Sequence, residues 1–212
     1  MSFGLKNAST TYQRDMQNIF DDLLHKNVEC YVDDLVVKSR KRGDHLKDLR
    51  MVFELLRRYQ LRMNPLKCAF GVISGKFLGF IVRHRGIEID QAKVNAISKM
   101  PEPRDIHELK SLQGKLAYLR RFISNLAGRC QPFSHLMKKG APFNWDQTCS
   151  EAFKSIKSYL ANPLVLAAPI PGKPLILYIA AQESFVGALL AQENSEGKEN
   201  ALYYLSRTMM PN

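Results

Sequence analysis

Tyr31-Val32-Asp33-Asp34 places two adjacent carboxylates between two short β-branched runs, Val28 to Val32 and Leu35 to Lys38. The pattern predicts strand, tight turn, strand, with the acids at the tip. Carboxylates so placed can hold divalent cations. In phosphoryl or nucleotidyl transfer, two such metals roughly 3.5–4 Å apart clamp the attacking and leaving oxygens. Magnesium suits that work, because it takes a few carboxylates plus substrate phosphates and keeps several waters. The plain alternative is an ordinary hairpin turn, since Asp is a favoured turn residue. The pair alone does not decide between these readings; the surrounding sequence does.

The elements that must position the acids are legible on either side. A helix is expected from Thr10 to Lys26, with Tyr12, Met16, Ile19, Phe20, Leu23 and Leu24 along one face. After the hairpin, Asp44 is placed to cap a second helix. That helix turns Leu46, Leu49, Val52, Phe53 and Leu56 inward and Lys47, Arg50, Arg57 and Arg58 outward. An Asn64-Pro65 break precedes strands that run to about Ile89. Helix, hairpin, helix and strands make half of an α+β domain.

Farther on, Asp90 can cap a short helix through Ile97, and Pro101 and Pro103 form a linker. Asp105 with Glu108 forms a variant capping box. Leu109, Leu112, Leu116, Leu119 and Ile123 then recur at three- and four-residue steps, a core stripe that Gly114 interrupts where two helices could meet closely. A further helix is expected from about Gln147 to Leu160, with Ala152, Phe153, Ile156 and Leu160 on one side. Pro163, Pro169, Pro171 and Pro174 punctuate the passage to a buried-strand pattern, Pro174 to Ile179, and a second strand from Val186 to Leu190.

Composition excludes several classes. The 212 residues are 45% hydrophobic and 24% charged, the balance of a globular chain with a real core rather than a disordered one. The 31 basic against 20 acidic residues give a formal charge of +11, which favours a polyanionic partner. The charge is concentrated. Lys38 to Lys67 holds ten Lys or Arg against three acids, and Arg104 to Lys139 holds eight against two. Such segments can track a phosphate backbone without reading sequence, or can simply be solvated basic faces. Lys38-Ser39-Arg40-Lys41-Arg42 also has the composition of a nuclear localisation signal. Cys30, Cys68, Cys130 and Cys149 show no Cys-x-x-Cys spacing, which argues against a zinc knuckle and fits reduced intracellular thiols. No signal peptide and no bilayer-length apolar run is present, so the expected setting is intracellular, cytoplasmic or nuclear, with no membrane partner.

The motifs, taken in order, resemble a known family. Tyr31-Val32-Asp33-Asp34 is similar to the active-site signature of reverse transcriptases, and its flanks resemble the gypsy-type LTR retrotransposon polyprotein, plant elements especially. Phe3-Gly4-Leu5-Lys6-Asn7-Ala8 with Thr11-Tyr12-Gln13 resembles an upstream polymerase motif, although the family has Pro where this chain has Ser2 and Ser9. Leu61 to Pro65, with Lys67-Cys68 and Phe70-Gly71, resembles the next palm motif. Phe77 to Val82 resembles the hairpin that grips the primer strand, and Leu112 to Ile123 the thumb. Phe143-Asn144-Trp145 with Glu151-Ala152-Phe153 resembles the connection.

The resemblance implies an α+β fold with four parts. These are a partial palm over 1–89, a helical thumb over 90–140, a connection over 141–164 and the start of a ribonuclease H-like sheet over 165–212. It implies templated DNA synthesis from dNTPs on an RNA or DNA primer-template, with Mg2+ or Mn2+ held by Asp33 and Asp34. Phe3, Gly4 and Tyr31 would line the nucleotide pocket and Gln13 would touch template, while Lys67 would help neutralise or protonate the leaving pyrophosphate. Phe77, Leu78, Gly79, Lys115, Arg120 and Arg121 would face the nucleic acid. Plainer roles stay open: Phe3 as a core aromatic, Gln13 as a solvated helix residue and Lys67 as a surface lysine.

Two departures from the family pattern weaken the activity it implies. The family's first palm aspartate lies upstream of the Gly4-Leu5-Lys6-Asn7 turn, so the chain reads as N-terminally truncated, with a weak metal site and no activity alone. Ala180 stands where active ribonucleases H of the family have a metal-ligating Asp, so no ribonuclease H activity is expected. A non-catalytic nucleic-acid-binding module and a decayed remnant are the alternatives. Apolar palm surface left uncovered would promote association.

Overall fold

The computed structural model describes residues 4–138, 140–162 and 165–209. They form two compact units that divide between Leu78 and Gly79.

The first unit contains α1 (Ala8–Ile19), β1 (Val28–Tyr31), β2 (Asp34–Val37), α2 (His45–Arg58) and β3 (Ser74–Phe77). Its core is Met16, Phe20, Val28, Val52 and Leu56, with Tyr12, Ile19, Leu23, Leu24 and Leu61 packed around them. α1 packs on β1 and α2 on β2, so both helices bury their apolar stripes on the hairpin that carries the acids. α1 ends seven residues before Lys26, the end expected from its apolar face. Asp21 and Asp22 would put two carboxylates at the negative end of a longer helix. The chain turns instead, burying Phe20 completely and reversing at His25, whose φ is 61°.

α2 also departs from its expected pattern. Asp44 makes no side-chain cap, because a short 3₁₀ turn, Arg42–Asp44, already leads into the helix. Leu46 is 78% exposed, and the inward positions are Asp48, Val52 and Leu56, one helical turn apart.

The second unit is larger. Antiparallel β4 (Phe80–Arg83), β5 (Gly86–Ile89) and β6 (Val165–Ala167) lie in one sheet, so the chain returns to β5 only after a long excursion that carries four helices. Gly86 is required at that junction, since its φ is 140° and a Cβ there would collide with the Leu166 carbonyl. Between these strands run α3 (Gln91–Ser98), α4 (Ile106–Leu119), α5 (Leu126–Ser134) and α6 (Gln147–Leu160). Leu109, Leu112, Leu116 and Leu119 of α4 are all buried, against Ile97, Phe122, Phe133, Phe153 and Ile156. Caps stop the ends cleanly. Asp90 accepts from the Ala92 amide at 3.0 Å, Asp105 from Glu108 at 2.8 Å and Asp146 from Cys149 at 2.8 Å. The Glu108 carboxylate reaches back to the Arg104 amide, one residue before the position that a standard capping box would satisfy.

A second sheet follows, with β7 (Ile176–Ala181), β8 (Phe185–Glu193) and β9 (Glu199–Thr208) in that order. Gln192 of β8 is 3% exposed, and its amide bonds Ile170 N, Ile170 O and Lys173 O, so it holds the proline-rich segment that leads into β7. β9 packs on α5 and β6, but β7 is an edge strand, and Leu177 and Ile179 are 59% and 66% exposed. Its apolar sequence therefore does not mark a buried strand here. An uncovered apolar edge favours association with another chain.

Gly114 lies within α4 on an exposed face, and a Cβ there would meet nothing within 4 Å. It marks no close helix crossing. Gly114→Ala is therefore expected to stabilise the chain by about 0.5–1 kcal/mol, the helix-propensity difference. Urea denaturation checks it, and an unchanged or lowered midpoint refutes it.

Candidate functional site

The β1–β2 register pairs Val28 with Val37, Glu29 with Val36, Cys30 with Leu35 and Tyr31 with Asp34. Val32 and Asp33 are thus the two turn residues, while Asp34 opens β2 opposite Tyr31. Val32 has φ 47°, a region that β-branched residues rarely occupy. The strain is held from α1. The Gln13 side chain accepts the Val32 amide at 2.5 Å and donates to the Cys30 carbonyl at 3.2 Å. Gln13, expected at the template, is in this structure spent on the hairpin. Tyr12, its neighbour, was missed as a site residue because it fits the apolar stripe. Partial burial pushes its phenol above the ordinary value, and the Asp33 carboxylate adds to that.

The base of the hairpin is fixed as well. Lys38 Nζ bonds Glu29 Oε1 at 2.6 Å, and the Lys38 amide bonds the Asn27 carbonyl. Burial pushes the Glu29 carboxyl up, but hydrogen bonds from Lys38 and His25 outweigh it, leaving the group below its ordinary value. Just beyond β2, Ser39 Oγ lies 2.5 Å from Asp48 Oδ2 and 3.0 Å from His45 Nδ1. The single hydroxyl proton goes to the carboxylate, so His45 Nδ1–H is the donor to Ser39. This order locks β2 to α2; a nucleophilic serine would instead give its proton to the imidazole.

Both carboxylates are exposed and come from successive residues. Among the described residues no third His, Cys, Asp or Glu joins them in a metal-ligating group. Two exposed acids on one turn do not fit a closed magnesium site, because nothing else fixes the ion's coordination. Lys67 is exposed on the short turn Pro65–Lys67, capped by Asn64, and makes no ion pair with either acid among the described residues. Gly4 has φ 89° and open space around its Cα, and Tyr31 is 54% exposed. Phe3 lies outside the described residues.

Leu78 and Gly79 are consecutive left-handed residues, φ 52° and 76°, after Phe77 ends β3. Gly79 suits this place because its φ of 76° disfavours any side chain; a Cβ there would also meet the Tyr118 hydroxyl, the far end of a side chain that would have to shift. Lys115 is half-buried and bonds Ser111 Oγ at 2.7 Å, and Arg120 is exposed. The Arg121 guanidinium lies over the rings of Phe80 and Tyr203.

Residues 1–82 match the reverse transcriptase (RNA-dependent DNA polymerase) family, and residues 145–212 match the RNase H-like domain found in reverse transcriptase. The chain is 34% identical over 220 residues to the retrovirus-related Pol polyprotein from transposon opus of Drosophila melanogaster, covering 99% of this chain and 22% of that one. It is 28% identical over 209 residues to the transposon Tf2-3 polyprotein of Schizosaccharomyces pombe, covering 99% and 16%. The chain is homologous to retrotransposon Pol polyproteins.

It spans less than a quarter of the length of these Pol relatives. The foamy viral protease-reverse transcriptase in complex with dsDNA shares its fold, with a TM-score of 0.84 at 21% identity over 99% of this chain and 44% of that chain. The same protein in complex with an RNA/DNA hybrid gives 0.80 at 21% identity, over 99% and 28%. Within the RNase H-like region of this Pol homologue, Ala180 sits on β7 opposite Gly187. Its methyl offers no ligand to a cation.

Two outcomes follow from the hairpin. Gln13→Ala should cost about 1–3 kcal/mol, the penalty of an unpartnered amide, and should speed hydrogen exchange at Val32. Val32→Gly, which removes the strain but keeps the amide, should recover about 1 kcal/mol. Slowed exchange or a destabilised glycine variant would contradict this account. The Glu29 contribution is present above the ordinary carboxyl value of 4.5 and is lost as pH falls through the lower folded value. The gap in unfolding midpoint between the native chain and Glu29→Gln should therefore close on acidification below 4.5. A gap that widens there would reverse the sign.

Proposed function

We propose that the chain is the hairpin, thumb and connection portion of a reverse transcriptase from a gypsy-type, plant-like LTR retrotransposon, and that it binds primer-template. The observation that carries this reading is the hairpin that presents Asp33 and Asp34, its turn residue Val32 held by Gln13 in a left-handed conformation. Supporting it, the chain shares its fold with a reverse transcriptase described in complex with dsDNA and with an RNA/DNA hybrid. Residues 1–89 act as palm, 90–140 as thumb, 141–164 as connection and 165–212 as a ribonuclease H-like module without nuclease activity.

In this reading Asp33 and Asp34 supply two of the ligands for Mg2+ or Mn2+, and Lys67 serves the leaving group. Gly4, Tyr31 and Phe3 border the nucleotide, while Phe77, Leu78 and Gly79 meet the primer strand. With only two carboxylates, the chain holds the metal weakly, and no chemical step is assigned to it alone. Its basic stretches give affinity for the duplex by releasing counterions. The setting is intracellular; among the described residues no helix is long and apolar enough to cross a membrane. Association through exposed apolar palm surface completes the reading.

Primer extension on an RNA template, with magnesium and dNTPs, tests this against Asp33→Asn. The folded chain is expected to extend nothing, while both forms bind the duplex with a steep loss of affinity in salt. Extension abolished by Asp33→Asn would mean the two carboxylates suffice. Absence of salt-dependent duplex binding by the folded chain would overturn the nucleic-acid reading.

A further inference from the structure

Five side chains from five elements of the second unit form one ladder. Lys93 Nζ of α3 lies 5.6 Å from the ring centre of Tyr118 of α4. Tyr118 stacks on Phe80 of β4, with centroids 4.9 Å apart and planes 9° from parallel. The Arg121 guanidinium follows, 5.1 Å from Phe80 and 5.9 Å from Tyr203 of β9. Phe80 is 7% exposed and also packs on Phe122 at 5.5 Å, so this end of the ladder is fixed by the core. The Tyr118 hydroxyl meanwhile fills the space beside Gly79.

Arg121 is suited to this place by its chemistry. A guanidinium is planar and weakly hydrated, so it can lie against aromatic faces, whereas an ammonium holds its water more strongly. Arg120, the preceding residue, is exposed, and its side chain makes no ion pair or ring contact among the described residues. Adjacent arginines with the same charge thus occupy different surroundings. β9 is tied nearby a second time, where Ser206 Oγ accepts the Ala127 amide at 2.9 Å.

We infer that Arg121 is a positioning residue that rivets β9 of the ribonuclease H-like sheet to the start of β4, beside the Gly79 turn, and that the phosphate contact in this stretch belongs to Arg120. The sheet then serves as a buttress for the turn and thumb helix rather than as a nuclease. The phosphate half rests on the proposed nucleic-acid binding; the rivet does not.

The test uses the full chain with Arg120→Ala, Arg121→Ala, Arg121→Lys, Tyr203→Leu and the Arg121→Ala/Tyr203→Leu double variant. Binding of a labelled RNA/DNA duplex is measured against salt, and the unfolding midpoint of each variant is recorded. Arg120→Ala should reduce the log–log salt slope by about 0.9, the share of one phosphate. Both Arg121 variants should keep the wild-type slope and lower the midpoint. Tyr203→Leu should cost less in the Arg121→Ala background than alone. A slope reduced by Arg121→Ala but preserved by Arg121→Lys would make Arg121 a phosphate contact and overturn the inference, as would additive midpoints. A wild-type chain that folds but binds no duplex removes the phosphate role of Arg120, and the midpoint cycle then decides the rivet by itself.

Discussion

A valine held at φ 47° is the constraint on which the acidic hairpin depends. Left alone, a β-branched residue avoids this region, and the two strands would relax toward another register or a longer loop. Gln13 opposes that relaxation with both ends of one amide, accepting from Val32 and donating to Cys30. A carboxylate could accept from Val32 but could not donate to a carbonyl. The requirement passes backwards along the chain: α1 must be a helix, must start near Ala8, and must bury Met16 and Phe20 so that Gln13 faces the turn. Ser39 and Asp48 do for the base of the hairpin what Gln13 does for its tip. Among the described residues the two acids are consequently placed by the hairpin ladder and by neighbours on both helices, not by side-chain bonds of their own.

The second unit uses a different economy. Its buried α4 stripe meets aromatic and aliphatic residues from the other helices, and polar links run along its margin. Trp145 donates to Ser150, and Ser150 donates to Glu102, so the linker is tied to the first turn of α6. Cys130 lies in the same interior, and desolvation pushes its thiol up to about 12. That leaves little thiolate at neutral pH, so this sulfur behaves as a small apolar group, not as a nucleophile.

Much of this could be read from residue types alone. The α4 stripe, the Asp90 and Asp105 caps and the extent of α6 follow local periodicity, and the structure agrees with them. Local rules failed where tertiary competition decided. Leu46 fits the apolar face of α2 by spacing but lies in its first turn, beyond the reach of the small core, and Asp48 takes an inward position because Ser39 is there to meet it. The apolar run of β7 looks like an interior strand, yet it sits at a sheet edge. At the candidate site, the acids were visible in the sequence, but the residues that hold them were not. Gln13 reads as a template contact or a solvated helix residue, and Tyr12 as part of an apolar stripe, until a partner nineteen or more residues away is brought beside them.

The formal charge of +11 therefore overstates the surface offered to a polyanion. Lys38 is paired with Glu29, and Arg83 and Arg85 both face Glu88. Arg129 lies over Tyr159 and bonds the Ser124 carbonyl, while Lys157 lies over Phe153 and bonds the Met100 carbonyl at 2.6 Å. Arg121 is held between two rings. Recruiting any of these to a phosphate would mean giving up an internal contact that the fold already uses. The cations left for a partner are those on exposed turns and helix faces, including Arg40, Lys41, Arg42, Lys47, Arg50 and Arg120. Counterion release counts only those, so the salt dependence of any nucleic-acid complex measures this smaller set and not the composition of the chain.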